Sequence, residues 1–222
     1  MTDVNHPNNK FNWLKKFWHF LWEDDSVWSW LANVAVAFVL IKFIVYPLLG
    51  LLLGTSYPLV AVVSESMEHG IDAGAICGYN LQAFPESFDN YWKLCGDWYE
   101  NNGITKAQFA QFSFRDGFDK GDVILLWRAN NGNTKVGDIL VFQGTKPQPI
   151  IHRVVKVWQE NGQYFYHTKG DHNSASITGT LGETKIEESR VYGKGLIRIP
   201  YLGWVKILAV DAAKLVGIQI EK

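Results

Sequence analysis

The chain has 222 residues, 47% of them hydrophobic and 14% aromatic, with a net charge of −1. So balanced a charge, with no basic patch interleaved with aromatics, excludes nucleic acid as the main partner. Once an apolar N-terminal run is set aside, the length leaves about one soluble domain.

Residues 1–30 hold Trp13, Phe17, Trp18, Phe20, Trp22, Trp28 and Trp30 among lysines and acids. Phe17, Phe20 and Leu21 share a helical face with Trp13 and Leu14, which predicts an amphipathic helix at a cytoplasmic membrane interface. The next stretch, Leu31 to Leu53, carries one charge in 23 residues, and about 20 apolar residues span a bilayer. It is longer than the roughly 7–15-residue core of a cleaved signal, so it reads as a transmembrane anchor. Lys10, Lys15 and Lys16 precede it, and the first basic residue after it is Lys93. The positive-inside rule then puts the N-terminus in the cytoplasm and everything after Leu53 outside: a single-pass cell-membrane protein in contact with the lipid bilayer. Lys42 at the midpoint costs about 2.5–3.5 kcal/mol on insertion scales and is expected to snorkel inward. Pro47 and Gly50 would loosen the helix just beyond it.

Leu59 to Val63 is short and β-branched, a strand that delivers Ser64 and Ser66 to its end. Lys120 to Leu126 and Val136 to Phe142 are two Gly-Asp turns, each followed by a buried strand. Ile150 to Trp158 and Gln163 to Lys169 form a hairpin about Asn161-Gly162, and Val191 to Ile199 is a further strand. The fold expected is mainly β over 57–74 and 119–205. Residues 75–118 differ. A helix from about Ser87 to Glu100 and a second one capped by Thr105 make a helical insertion. Residues 206–222 have the spacing of an amphipathic helix. Cys77 and Cys95 fall on the outer side, where oxidation is permitted, and the spacing leaves a bridge and two free thiols equally open.

A serine close to a membrane exit meets substrates that are themselves at the membrane. Ser66 at a strand end would turn its own N–H toward a substrate oxygen, with the Ser64 hydroxyl as a second donor. Its base must be His or Lys. His152 stands in the apolar strand Ile150 to Val155, where a polar ring needs a reason: a satisfied core histidine, or a base suited to proton transfer near neutrality. His167 and His172 are weaker candidates. Asp171, in a turn after a strand, could reach a neighbouring strand's histidine; Asp122 and Asp138 read as structural.

Taken together, these pieces resemble the type I signal peptidases of the archaeal and endoplasmic-reticulum branch. Ser64-Glu65-Ser66-Met67-Glu68 resembles the Ser-x-Ser-Met-Glu box, and Val136 to Phe142 the Gly-Asp strand box. Ile151-His152-Arg153-Val154 is similar to the segment that carries His in this branch. Thr168 to Asn173 is similar to the Gly-Asp-Asn box, and Ile199 to Trp204 is a further match. The resemblance covers about residues 31–74 and 119–205. It implies a coiled antiparallel β-sheet catalytic domain on one N-terminal transmembrane helix, without cofactor or metal. It assigns Ser66 as nucleophile, His152 as general base and Asp171 as acidic partner, with Ser64 and Met67 at the oxyanion and substrate side. The implied activity is serine endopeptidase cleavage of signal-peptide-bearing preproteins, with accessory membrane subunits as further partners. Many members carry a second Asp about six residues after Gly-Asp. Here no carboxylate follows Asp171 until Glu183, so either Asp171 holds the ring or a hydroxyl such as Ser174 or Ser176 substitutes. Two other readings stay open: a catalytically silent peptide-binding subunit, and a protease releasing regulatory membrane proteins.

Overall fold

The computed structural model describes residues 11–70, 75–80, 87–130, 132–145, 147–205 and 207–208. The chain divides into two compact units, Met1–Leu49 and Gly50–Lys222.

In the first unit α1 (Asn12–Glu23) is followed by α2 (Val27–Leu40). The break falls at Asp24 and Asp25, and Ser26 caps α2 by accepting the Ser29 N–H, which satisfies one of the free donors of a helix start. Ser29 and Asn33 donate to the carbonyls of Phe20 and Leu21 at 2.6 and 2.7 Å, tying the end of α1 to α2. The long helix therefore begins at Val27, earlier than the apolar run suggests. Trp28 and Trp30 belong to it rather than to α1. A π-helical turn, Ile41–Val45, leads into α3 (Tyr46–Leu53). The widened turn lies just before Pro47, whose ring cannot donate to the helix. Its bonding shows in Tyr46, whose N–H reaches back to the carbonyl of Ile41. Lys42 lies 5.7 and 5.5 Å from the rings of Phe38 and Phe43. Among the described residues Val27–Leu53 is the one helix long and apolar enough to cross a membrane. At about 1.5 Å per residue it is about 40 Å long.

The second unit is mainly β. Seven strands form one curled antiparallel sheet: β1 (Leu59–Ala61), β4 (Val123–Trp127), β9 (Val191–Ile199), β5 (Ile139–Phe142), β6 (Ile150–Glu160), β7 (Gln163–Lys169) and β8 (Ile186–Glu187), in that spatial order. Register shifts interrupt β4–β9, β5–β9 and β6–β7, and such bulges increase the twist that curls a sheet. β6 and β7 meet at Glu160 and Gln163. Between them Asn161 and Gly162 both have positive φ, at 50° and 82°, which a two-residue type I′ turn requires.

The two Gly-Asp turns work alike. Asp122 accepts the N–H of Asp119, and Asp138 accepts that of Lys135. Arg198 and Lys194 of β9 then pair with Asp122 and Asp138. Both aspartates are structural, holding β4 and β5 to the strand between them.

Residues 75–118 contribute the small hairpin β2 (Ala75–Ile76) and β3 (Tyr79–Asn80), then α4 (Phe88–Asn101) and the single-turn α5 (Lys106–Phe109). Ser87 caps α4, and Thr105 with Gln108 forms a capping box on α5. Both starts follow from the sequence, because Ser and Thr accept the orphan N–H groups there. A disulfide joins Cys77 to Cys95, closing the alternative the spacing left open. Ile76, Tyr91, Trp92, Cys95, Tyr99, Ile104 and Phe109 form a core with Val155 of β6. Each fully buried side chain of this size adds about 1.5–3 kcal/mol by leaving water. Most of the expected C-terminal helix, residues 206 and 209–222, lies outside the described residues.

Candidate active site

β1 ends at Ala61, three residues before Ser64, and the chain turns sharply, with the Glu68 N–H donating to the Glu65 carbonyl at 3.0 Å. The hydroxyls of Ser64 and Ser66 lie 3.2 Å apart. Ser64 is exposed and Ser66 half-buried. Met67 is buried at 1% exposure, packed with Val62, Phe118 and Ile124. Its sulfur accepts the Asp171 N–H at 3.4 Å. The side chain expected near substrate is thus a core plug beneath the Gly170–Asp171 turn.

β6 delivers His152, buried at 2% exposure. Its Nδ1 is hydrogen-bonded to Oε2 of Glu183. The same oxygen accepts the Thr168 hydroxyl at 2.7 Å, and Oε1 accepts the Ile177 N–H at 2.6 Å. Main-chain bonds reinforce this carboxylate: Glu183 N–H donates to Ile177, and Thr168 N–H donates to Glu183, both at 2.9 Å. Glu183 is fully buried with each oxygen satisfied, so it fixes the imidazole's tautomer and orientation.

The other ring nitrogen and the main chain of Ser66 meet at Gly170. A methyl group placed on Gly170 would lie 2.7 Å from His152 Nε2, 2.8 Å from the Ser66 carbonyl oxygen and 2.6 Å from Asn173 Nδ2. Gly170 is therefore a spacer whose lack of a side chain lets the imidazole and the serine turn approach each other. The Ser66 carbonyl is also held by the His172 N–H at 3.0 Å.

Asp171 is not the acid on His152. It is buried, and Arg153 donates to it through Nε at 2.9 Å and Nη2 at 2.6 Å. Tyr99 Oη and His69 Nε2 bond its two oxygens at 2.8 and 2.9 Å. Burial opposes its ionisation, but the Arg153 guanidinium, then the His69 contact, hold its pKa well below the ordinary carboxylate range. The physical reason is alternation. His152 and Arg153 leave β6 on opposite faces, and Asp171 lies on the arginine's side. The Ser176 hydroxyl is engaged elsewhere. Ser176 bonds His167 Nε2 and the Thr168 carbonyl, both at 2.8 Å. His172 bonds the Glu68 carbonyl through Nδ1 at 3.0 Å. Neither histidine is placed as a base for Ser66.

Lys169, fully buried, donates to the Gly170 carbonyl at 3.0 Å and lies over the rings of Trp98 and Tyr99. Burial lowers its pKa to about 8, against the opposing pull of Asp171 and Glu183. Among the described residues no cluster of His, Cys, Asp and Glu could hold a metal ion.

Glu183 is the residue that sequence reasoning passed over. Its one signal was being the first carboxylate after Asp171, at a distance of twelve positions that a conserved short spacing would not cover.

A serine in the turn after β1, an imidazole that meets that turn's main chain at Gly170 and a buried carboxylate on the imidazole's Nδ1 are the groups from which a nucleophile, base and orienting acid are built. The histidine and the carboxylate belong to a curled antiparallel sheet and its loops, and among the described residues one helix has membrane length. Known proteins place the chain more narrowly. It is 33% identical over 106 residues to the dog signal peptidase complex catalytic subunit SEC11C, covering 46% of this chain and 55% of that protein. It is 35% identical over 100 residues to the SEC11 subunit of Metarhizium acridum, covering 43% and 58%. With the SEC11 subunit of Eremothecium gossypii it shares 35% over 104 residues, covering 45% and 62%. The chain thus spans little more than half the length of the curated relatives it matches. No family model matches it. Its homologues are named catalytic subunits of eukaryotic signal peptidase complexes, at modest identity over about half the chain.

Proposed function

We propose that this chain is a membrane-anchored serine endopeptidase that removes signal peptides from secretory preproteins. The observation that carries the reading is the line from Glu183 through His152 to the Ser66 turn across Gly170. The names of the relatives support the substrate class.

In this mechanism His152 Nε2 takes the Ser66 proton as Oγ attacks the scissile carbonyl, and Glu183 stabilises the resulting imidazolium. The Ser66 N–H and the Ser64 hydroxyl receive the developing oxyanion. Collapse of the tetrahedral adduct breaks the C–N bond, and the imidazolium gives its proton to the leaving amine. A water, activated by the same ring, then hydrolyses the acyl-enzyme. The helix Val27–Leu53 holds the catalytic unit at the bilayer, with the N-terminus cytoplasmic. The Cys77–Cys95 bridge supports an extracytoplasmic or lumenal site, since disulfides persist in oxidising compartments. The alternative of a silent peptide-binding subunit drew on a missing second acid, and Glu183 removes that motive.

The test is incubation of the purified full chain in detergent or liposomes with a secretory preprotein, followed by N-terminal sequencing of the product. A cut after a small residue beyond the signal core, lost in Ser66→Ala and in His152→Ala, is the expected result. Cleavage persisting in either folded variant refutes the assignment, and a cut elsewhere in a membrane protein moves the substrate class.

A further inference from the structure

The segment 75–118 is the chain's largest departure from its β scaffold, and its described part converges on one turn. Tyr99 Oη donates to Asp171 Oδ1 at 2.8 Å, and Tyr91 Oη to the Asp171 carbonyl at 3.1 Å. The Cys77 N–H donates to the His172 carbonyl at 2.8 Å. His69 lies flat against Tyr91, ring centroids 3.6 Å apart, and presents Nε2 to Asp171 Oδ2. Toward the end of the insertion, Ser113 and Phe114 offer carbonyls to Arg153, both at 2.8 Å, and the guanidinium stands 4.7 Å from the Phe109 ring centre.

These contacts share their endpoints: Asp171, His172 and Arg153. Arg153 follows His152 in β6, and Asp171 follows Gly170, the spacer between His152 and Ser66. Both tyrosines are buried. Burial first, then the charge of Asp171, raises their pKa well above the ordinary value, so the hydroxyls stay protonated and donate. Cys95 precedes Tyr99 by one helical turn, on the same face of α4. The bridge therefore ties the hairpin bonded to His172 to the helix face bonded to Asp171.

We propose that the insertion is a positioning device for the catalytic set: Tyr99, braced by the Cys77–Cys95 bridge, sets the Asp171–Arg153 pair and through it the approach of His152 to Ser66 across Gly170. Tyr99 touches no reacting atom. It acts by fixing the turn and the strand that do. The inference rests on the serine peptidase reading above and explains why a helical insertion is packed against β6 rather than left at the surface. A lid over substrate would bind the peptide and so govern KM; a brace beneath the site governs kcat.

The experiment is steady-state kinetics of the full chain in detergent with a preprotein substrate. It compares Tyr99→Phe, the paired variant Cys77→Ala with Cys95→Ala, and all three substitutions together, with Ser66→Ala as control. Tyr99→Phe keeps the packed ring and loses one hydroxyl. It should lower kcat about tenfold or more, since small misplacements of reacting groups are costly, with KM within about twofold. The bridge-free variant should behave alike, and the triple variant should lose less than the product of the two effects, because both act on one turn. An inactive Ser66→Ala together with wild-type kcat in Tyr99→Phe overturns the inference and leaves the peptidase reading standing. A rise in KM alone also overturns it, in favour of a lid. Cleavage by Ser66→Ala removes the peptidase reading itself, and the inference with it. If the bridge-free chain does not fold, Tyr99→Phe decides alone.

Discussion

The Nδ1 nitrogen of His152 is held by Glu183, a residue 31 positions further along the chain, and the carboxylate it shares with Thr168 and Ile177 is fully buried. A carboxylate with this many donors is acceptor-only and rigid. It favours the tautomer that leaves Nε2 free to accept a proton on the Ser66 side.

Glu183→Gln tests that arrangement. Its amide would either turn its N–H groups toward Nδ1 and the Thr168 hydroxyl, or keep its oxygen there and lose the Ile177 N–H bond, and in the first case the ring takes the wrong tautomer. On the serine-peptidase pattern we expect kcat to fall roughly 10³–10⁴-fold with the fold intact. Cleavage of a preprotein at near wild-type rate, by a variant with an unchanged circular dichroism spectrum, would show that Glu183 does not orient the base.

Gly170→Ala tests the spacer. The added methyl would meet His152 Nε2, Asn173 Nδ2 and the Ser66 carbonyl, all closer than 3.0 Å. Relieving that overlap should cost about 1–3 kcal/mol of stability. It should also separate serine from base, lowering kcat by about 100-fold or more. Urea denaturation and initial rates on the same preparation distinguish the two effects; an alanine variant with full activity contradicts the geometry.

Much of the scaffold was legible because its signals are local. Asn161-Gly162 announces a hairpin by the positive φ both residues adopt, and Ser87 and Thr105 announce helix starts by chemistry within one turn. The serine turn and His152 were legible as candidates for the same reason: a polar group in an apolar strand demands an explanation. The acid was not. Asp171 and Glu183 compete for one role, and the choice depends on which face of β6 each meets and on the path taken by residues 172–182, a tertiary matter. The insertion's part in the site was hidden likewise, since Tyr99 reads in sequence as one more aromatic on a helix face.

Asp171 carries a separate prediction about stability. It titrates well below the ordinary carboxylate range in the folded chain, against the effect of burial, because of Arg153 and then His69. A carboxylate depressed on folding stabilises fully above its unfolded pKa of about 3.9 and loses that contribution as pH falls below it. Asp171→Asn leaves Arg153 buried without its counter-charge, which should cost about 3–5 kcal/mol at pH 7. The variant should also lose less additional stability than the wild type between about pH 4 and pH 2. Urea midpoints at these pH values check both; equal stability of the two proteins at pH 7 would refute the pairing.

Lys169 has the same pH slope as Asp171 but, unlike that carboxylate, its charge costs stability at neutral pH. Burial, the largest influence, holds its pKa at about 8 in the folded chain, while the unfolded chain keeps the ordinary value near 10.4. Between these limits the unfolded state binds more protons, so stability from this group rises with pH and is lowest below about pH 8. The full span corresponds to about 3 kcal/mol. Lys169→Met should therefore be more stable than wild type at pH 7 and lose the rise between about pH 8 and 10. Its carbonyl partners would not be stranded, because Gly170 also accepts the Asn173 N–H at 3.0 Å and Asp171 the Tyr91 hydroxyl at 3.1 Å. Thermal or urea unfolding of both proteins at pH 7 and pH 10 decides the matter. A methionine variant destabilised equally at both values would mean that the ammonium's hydrogen bonds and its contact with Trp98 and Tyr99 outweigh the cost of burying its charge.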